Sequence, residues 1–242
     1  MVASLKILHY KRLQSTNTTA YRLAQQSAPE WTVVVADAQT KGRGRRGRRW
    51  ESPKGGLWFS ILLRPTVPSP KLPLLQFLAA VATRQALENE TGVSVKLKWP
   101  NDLVLGQEKL GGILIESKTL GDRVSFAILG IGLNINQPKA DLSPGAASLR
   151  LLSRKKHDLR LILRAILEQV RSTYNDWDNP SKIMEEWWRN SIHRPSRVQV
   201  TLPKDTVTGI SRGIDKDGRL VIETDDHTIR KVSEGSLRIL YD

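Results

Sequence analysis

The 242-residue chain contains no cysteine. That excludes disulfides, thiolate nucleophiles and cysteine-built zinc sites together. Long apolar runs are also missing, and none reaches the roughly 20 residues that a membrane helix needs. The opening segment "MVASLKILHYKRLQSTN" has no extended apolar stretch and no A-x-A-like cleavage site, so no export signal is read there. Histidine is scarce: His9, His157, His193 and His227 are scattered and in no ligand-like spacing, and each reads as a surface or satisfied polar group. There is no internal repeat and no low-complexity linker. Together these absences predict a cytoplasmic protein with no membrane partner.

What the chain does have is positive charge. Its 38 Lys/Arg face 24 Asp/Glu, for a formal net charge of +14. Residues 191–242 hold 9 Lys/Arg against 8 Asp/Glu, so the excess belongs to residues 1–190. It is densest in "KGRGRRGRRW", positions 41–50, where five arginines, one lysine and three glycines end on Trp50. Such a stretch commonly contacts nucleic acid or solvent. Here it lies between two strand-like runs, and arginine outnumbers lysine, which suits bidentate grips on carboxylate and phosphate. Glycines between arginines let backbone approach a ligand closely. Mutual repulsion of about 1 kcal/mol per close pair in water would keep the loop open until an anion neutralised it.

The periodicity predicts helices over 15–26, 71–92, 157–177 and 179–190, the last with Asn179 as cap, and strands over 31–39, 57–64, 93–99, 110–117 and 124–136. "PNDL" (100–103) reads as a turn, because Pro100 restricts Trp99 and Asn101–Asp102 favour turns. After Pro195 short strands follow one another closely, as in a small β-barrel. The expected architecture is α+β: a mixed β-sheet with helices packed on it over residues 1–190, plus a small C-terminal barrel over 191–242.

The elements "STN" (15–17), "Q-x-x-GRGRRGRRW" (39–50), "KWPNDL" (98–103), "KLGGIL" (109–114) and "GIGLN" (130–134) resemble the biotin–protein ligases. The stretch from "GISRGIDKDGRLVIE" to "SEGSLRIL" is similar to that family's SH3-like C-terminal domain. The resemblance implies a class II synthetase-like catalytic domain that joins biotin to AMP using MgATP, then passes biotin to a carrier lysine. It implies that Ser15, Thr16, Asn17, Gln39, Gly42, Arg43, Lys109 and Gly112 bind biotin. Arg43, Arg45, Arg46, Arg48, Trp50 and Asn134 would bind ATP or the adenylate, with Lys109, Arg43 and Arg45 the catalytic set. Asn101 and Asp102 belong to the site with no single role; Asp102 would stand beside Mg²⁺ or the incoming amine, and no metal ligand is assigned. The implied acceptor is the biotin carboxyl carrier protein of acetyl-CoA carboxylase, and the implied assembly either a monomer or a homodimer. Repressor members of the family carry an N-terminal winged helix-turn-helix, and the "STN" element at Ser15 leaves no room for one, so no specific DNA partner is expected. Two alternatives stand: a lipoate- or octanoate-handling ligase on a related fold, and a basic nucleic-acid-binding protein.

Overall fold

In the computed structural model, residues 5–175 and 180–241 are described. Strand β1 (Lys6–Tyr10) leads to helix α1 (Thr16–Gln25), whose N-terminus Ser15 caps by accepting the Thr18 N–H. β2 (Thr32–Ala36) and β3 (Leu57–Leu63) are buried along their whole length, as β-branched and aromatic runs require. Helix α2 (Leu74–Thr91) stops at Gly92, which takes the left-handed φ of 69°. Three strands, β4 (Lys96–Lys98), β5 (Asp102–Leu105) and β6 (Glu108–Leu120), precede β7 (Arg123–Leu133). Helices α3 (Leu149–Ser153), α4 (Leu159–Asn175) and α5 (Pro180–Arg189) complete this half of the chain. Asp158 caps α4 through the Arg160 N–H. The expected Asn179 cap and the expected helical residues 176–177 lie outside the described residues.

The large sheet has the order β1-β2-β3-β7-β6-β5-β4, with β1 parallel to β2 and every other pair antiparallel. Its alternating side chains make two different faces. Phe59, Ile61, Leu129, Ile131 and Ile113 pack against α2 in the main core. Val34, Leu62, Phe126 and Ile128 pack against Ala20 and Ala24 of α1 in a smaller one. Helix α1 covers only part of that second face, and the uncovered part becomes the site.

Five C-terminal strands, β8 (Arg197–Thr201), β9 (Thr206–Ile214), β10 (Leu220–Glu223), β11 (Ile229–Val232) and β12 (Ser236–Ile239), form an antiparallel sheet in the order β11-β10-β9-β8-β12. It does not stand apart. The Ile192 N–H donates to Leu97 O and the Leu97 N–H to Asn190 O, each at 3.0 Å, so the connecting segment extends the large sheet beyond β4. His193 is fully buried there, and its Nε2 accepts the Trp99 N–H at 3.2 Å. The Trp99 indole N–H reaches Gly218 O at 3.3 Å, and a side chain at Gly218 would collide with Phe77.

The structure corrects three local readings. β1 and α3 were not expected as elements. The turn reading of "PNDL" is too long: the Trp99–Pro100 bond is cis, the turn covers 99–101, and Asp102 already begins β5. β5 and β6 are joined at Gly106–Gln107, with Gly106 at φ 57°, so this is a tight hairpin.

Candidate active site

The floor of the site is sheet backbone. Gly132 of β7 pairs with Gly112 of β6 on one side and Trp58 of β3 on the other, while Gly130 pairs with Leu114 and Ser60. A Cβ at Gly130 would lie 2.1 Å from Asn17 Oδ1, and one at Gly132 would lie 2.8 Å from Trp50 Nε1. Both glycines therefore make room for side chains that reach over the sheet. Gly111 is demanded by packing as well, since its Cβ would meet Leu133 Cδ2 at 2.5 Å and Gly132 O at 2.6 Å. Gly112 differs. A Cβ there would find its nearest protein atoms at 3.6 Å, an ordinary contact. The protein's own packing does not require glycine at 112, and that position opens on the cavity.

Over this floor the arginine loop closes as a hairpin. The Trp50 N–H donates to Gly42 O at 2.9 Å, and the Gly44 N–H to Arg48 O at 2.7 Å. The turn at its tip uses left-handed φ values at Arg46 (55°) and Gly47 (71°). The mutual repulsion expected of these charges is offset in this conformation, where each arginine of the loop has a partner. Arg43 pairs with Glu116 at 2.9 Å, Arg46 with Glu234 at 2.9 Å and Arg49 with Glu51 at 3.0 Å. Arg45 Nη1 donates to Asn101 Oδ1 at 3.2 Å, and Arg48 Nη2 to Ser236 Oγ at 3.0 Å. Burial, and then the charge of Arg46, lower the Arg45 pKa from its ordinary value, which makes Arg45 a cation that an incoming anion would relieve.

Lys109 sits where β6 meets the segment 145–147. Its N–H donates to Gly145 O at 2.8 Å and its carbonyl accepts the Ala147 N–H at 3.0 Å. With the backbone held on both sides, the ammonium stands 2.6 Å from Asp102 Oδ1 and 5.0 Å from the Trp50 ring centre. The Trp50 indole N–H is buried and has no hydrogen-bond acceptor among the described residues. Asn134, buried just past β7, spends its amide on Lys109 O at 3.4 Å and on Gln137 Nε2 at 3.2 Å. That answers the need for partners that its apolar neighbourhood implied.

Ser15, Thr16, Asn17, Gln39, Arg43, Arg45, Arg46, Arg48, Trp50, Asn101, Asp102, Lys109, Gly112 and Asn134 all line one cavity of about 650 Å³. Gly42 does not line it; its hydrogen-side faces Trp50 O, which an added Cβ would approach to 2.3 Å. Counting all lining residues, seven are Lys or Arg and three are Asp or Glu. Five of the cations belong to the arginine loop, and the neutral Ser15, Thr16, Asn17 and Gln39 share the lining with them. Sequence reasoning did not find Lys98, the segment Asp141–Ala146, or Gly235–Leu237 at the cavity wall. Nor did it find Ser60 and Glu116 behind it; only three-dimensional proximity gives them away.

Residues 10–134 match the biotin/lipoate A/B protein ligase family, and residues 196–236 match the biotin protein ligase C-terminal domain. The bifunctional ligase/repressor BirA of Bacillus subtilis is 37% identical across 96% of this chain and 74% of its own length. The chain belongs to this family. Its five sequence motifs all fall inside the first matched region, and the second runs from the start of β8's neighbourhood to the start of β12. The biotin–[acetyl-CoA-carboxylase] ligase of Mycobacterium tuberculosis is 31% identical over 89% of this chain and 82% of its own. Among solved structures, the biotin protein ligase of Aquifex aeolicus in complex with biotin and ATP superposes with a TM-score of 0.81. That pair is 30% identical, covering 97% of this chain and 99% of the other. The mixed sheet with α1 and α2 on its faces is thus the family's α+β fold.

Proposed function

We propose that this protein is a biotin–protein ligase. Biotin's carboxylate attacks the α-phosphorus of MgATP, giving biotinyl-5′-AMP and pyrophosphate. A carrier lysine, as its free amine, then attacks the acyl carbon; an amide forms, AMP leaves with the bonding electron pair, and the amine gives up a proton. The observation that carries the reading is one cavity whose lining joins four neutral polar residues, Ser15, Thr16, Asn17 and Gln39, to seven Lys or Arg side chains. Its volume suits one small acid joined to a nucleotide.

Both steps need positioning and charge stabilisation rather than a protein nucleophile, in keeping with a chain that has no cysteine. Ser15, Thr16, Asn17 and Gln39 hold the ureido ring, and Gly112 lets the acid lie against the sheet. Lys109 and Arg43 stand where carboxylate and α-phosphate meet, while Arg45, Arg46 and Arg48 take the phosphates. Trp50 covers the adenylate, its unpaired N–H available to an acceptor. Asp102 aims the Lys109 ammonium. Among the described residues no group of three His, Cys, Asp or Glu could hold a metal ion, and Mg²⁺ enters as part of the MgATP substrate.

We assign residues 1–190 to catalysis and 191–242 to a C-terminal domain. The acceptor is the biotin carboxyl carrier protein of acetyl-CoA carboxylase, the enzyme for which the mycobacterial relative is named. We place the reaction in the cytoplasm; no helix among the described residues is long and apolar enough to cross a membrane. The unpaired edge of β1 would permit a homodimer, which sedimentation can read. Two features favour biotin over the alternatives. A lipoate or octanoate tail has no use for four neutral polar residues, and nucleic acid would want the cations spread over a face rather than converging on a cavity.

The deciding experiment is biotin-dependent ATP–pyrophosphate exchange, run beside lipoate and octanoate with Lys109→Ala as control. Exchange with biotin alone, lost in the variant, is the expected result. Exchange only with lipoate or octanoate would reassign the acid, and none with any of the three would refute the ligase reading.

A further inference from the structure

A continuous chain of polar contacts runs through neutral residues of the cavity lining. Glu116 Oε1 pairs with Arg43 at 2.9 Å, and Glu116 Oε2 accepts from Asn17 Nδ2 at 2.8 Å. Asn17 Oδ1 lies 2.6 Å from Ser60 Oγ, which lies 2.8 Å from Thr16 Oγ1. Thr16 Oγ1 is 3.1 Å from Gln39 Oε1, which already accepts the Thr16 N–H at 2.7 Å. Gln39 Nε2 donates to Ser52 Oγ at 2.8 Å, and Ser52 Oγ in turn to Trp50 O at 3.2 Å. Ser60 is wholly buried, and Thr16 and Asn17 are nearly so.

The direction of this chain follows from counting donors. A carboxylate only accepts, so Glu116 turns the NH₂ of Asn17 toward itself and the Asn17 oxygen toward Ser60. Ser60 must then give its one proton to Asn17, and its oxygen accepts from Thr16. Thr16 has one proton for Ser60 at 2.8 Å and Gln39 at 3.1 Å; giving it to Gln39 would leave the buried Ser60 and Thr16 oxygens face to face with no proton between them, so it goes to Ser60. Three oxygen–oxygen contacts share two hydroxyl protons, and the deficit falls on the pair Thr16 Oγ1 and Gln39 Oε1. Both residues line the cavity. Two acceptors facing each other at 3.1 Å call for a donor from outside, which a ureido N–H supplies and a dithiolane or alkyl tail does not.

We propose that Glu116 is a positioning residue that sets the polarity of this chain and so selects an acid carrying an N–H donor. The inference rests on the biotin-ligase reading. In Glu116→Gln, the new amide turns its oxygen to Arg43 and its NH₂ to Asn17. Asn17 then flips, Ser60 donates to Thr16, and Thr16 donates to Gln39. Every contact is satisfied without a ligand, and the outward-facing acceptor pair is gone.

The test is calorimetric biotin binding together with exchange kinetics for biotin and lipoate, with folding followed by thermal melting. Glu116→Gln is expected to raise the biotin Kd and KM about tenfold, the worth of one hydrogen bond to a buried acceptor. The kcat at saturating biotin should stay within about threefold, and the preference for biotin over lipoate should narrow by about the same factor of ten. The double variant Asn17→Asp with Glu116→Gln keeps the pair's net charge and restores the original direction, since the residue at 17 again accepts from Ser60. It should bind biotin more tightly than Glu116→Gln alone, although it alters a second residue of the site, which a merely structural role would not predict. If Glu116→Gln does not fold, Ser60→Ala decides, because cutting the chain there returns the Thr16 proton to Gln39 and should give the same loss. Unchanged biotin affinity in the single variants, or a double variant no better than Glu116→Gln, overturns the proposal while leaving the ligase reading intact. Wild type that neither binds biotin nor exchanges overturns both.

Discussion

The neighbouring glycines 111 and 112 should respond to alanine in opposite ways. Alanine at 111 would put a methyl group 2.6 Å from the Gly132 carbonyl, which is sheet backbone, and 2.5 Å from a Leu133 methyl. Leu133 is fully buried and β7 is held between two strands, so neither can move cheaply. Overpacking of that kind costs about 1–3 kcal/mol, and in a chain of this size each kcal/mol is worth about 2–4 °C in Tm. Gly111→Ala should therefore lower Tm by roughly 2–12 °C. Alanine at 112 meets nothing closer than 3.6 Å and needs no left-handed backbone. Freed of the glycine's unfolded-state entropy, Gly112→Ala should be neutral or stabilising by up to about 1 kcal/mol. Its methyl nevertheless enters the cavity where a bound acid would lie on the sheet, so biotin-dependent exchange should fall at least tenfold. Calorimetric melting and exchange assays on the purified pair read both effects. A Gly112→Ala protein that is destabilised, or that exchanges normally, would refute the claim that glycine at 112 serves a ligand and not the fold.

Lys109→Ala should cut exchange by about 10²–10³, the usual cost of losing a charge aimed at the reacting atoms, with Tm changed by only a few degrees because the side chain is partly exposed. Burial pulls the His193 pKa to about 3, whereas the unfolded chain takes up that proton near pH 6.5. The unfolded state thus binds more protons between those values, and stability falls as pH drops from about 6.5 toward 3, by up to about 1.4 kcal/mol per pH unit. His193→Gln should flatten that slope in urea unfolding at pH 7.5 and 5; an unchanged slope would count against it. The Arg46–Glu234 pair is exposed, so Glu234→Gln should cost under about 1 kcal/mol, and a larger loss in melting would mean that it holds the domains together. If surplus charge steers an acidic carrier domain, the carrier biotinylation rate should fall as ionic strength rises, and a salt-independent rate would rule steering out.

Much of this was legible in the sequence, for local reasons. Ser15 announced α1, Gly92 ended α2, and unbroken apolar runs marked β2 and β3 because both faces of those strands are buried. What stayed hidden depends on partners distant in the chain. β1 exists by pairing with β2, and nothing within "KILHY" demands it. β5 was obscured by the turn residues in front of it, although the two-residue Gly106–Gln107 connection between apolar runs was a usable hairpin signal. In the site, the loop's charges and glycines were visible, but the partners that order it were not. Glu116, Glu234 and Ser236 lie 73, 188 and 188 residues from the arginines they meet. Ser60 looked like one more position in an apolar strand; only its neighbours, Thr16 and Asn17, give its hydroxyl a purpose.

The grip of Gly218 on Trp99 bears on how far this protein can be taken apart. Trp99 is the first residue of the turn that carries Asn101 to Arg45 and Asp102 to Lys109. The C-terminal sheet and the segment leading into it thus supply part of the mould in which that turn is set: a carbonyl on the indole, the ring of His193 on the backbone, and a turn without a side chain pressed against Phe77. Removing it would strip cover from Trp99 and Phe77 and loosen the two residues that aim the site's cations. The molecule is modular in its sequence matches and indivisible in its mechanics, so grafting a foreign C-terminal domain would succeed only if its own turn fitted the indole.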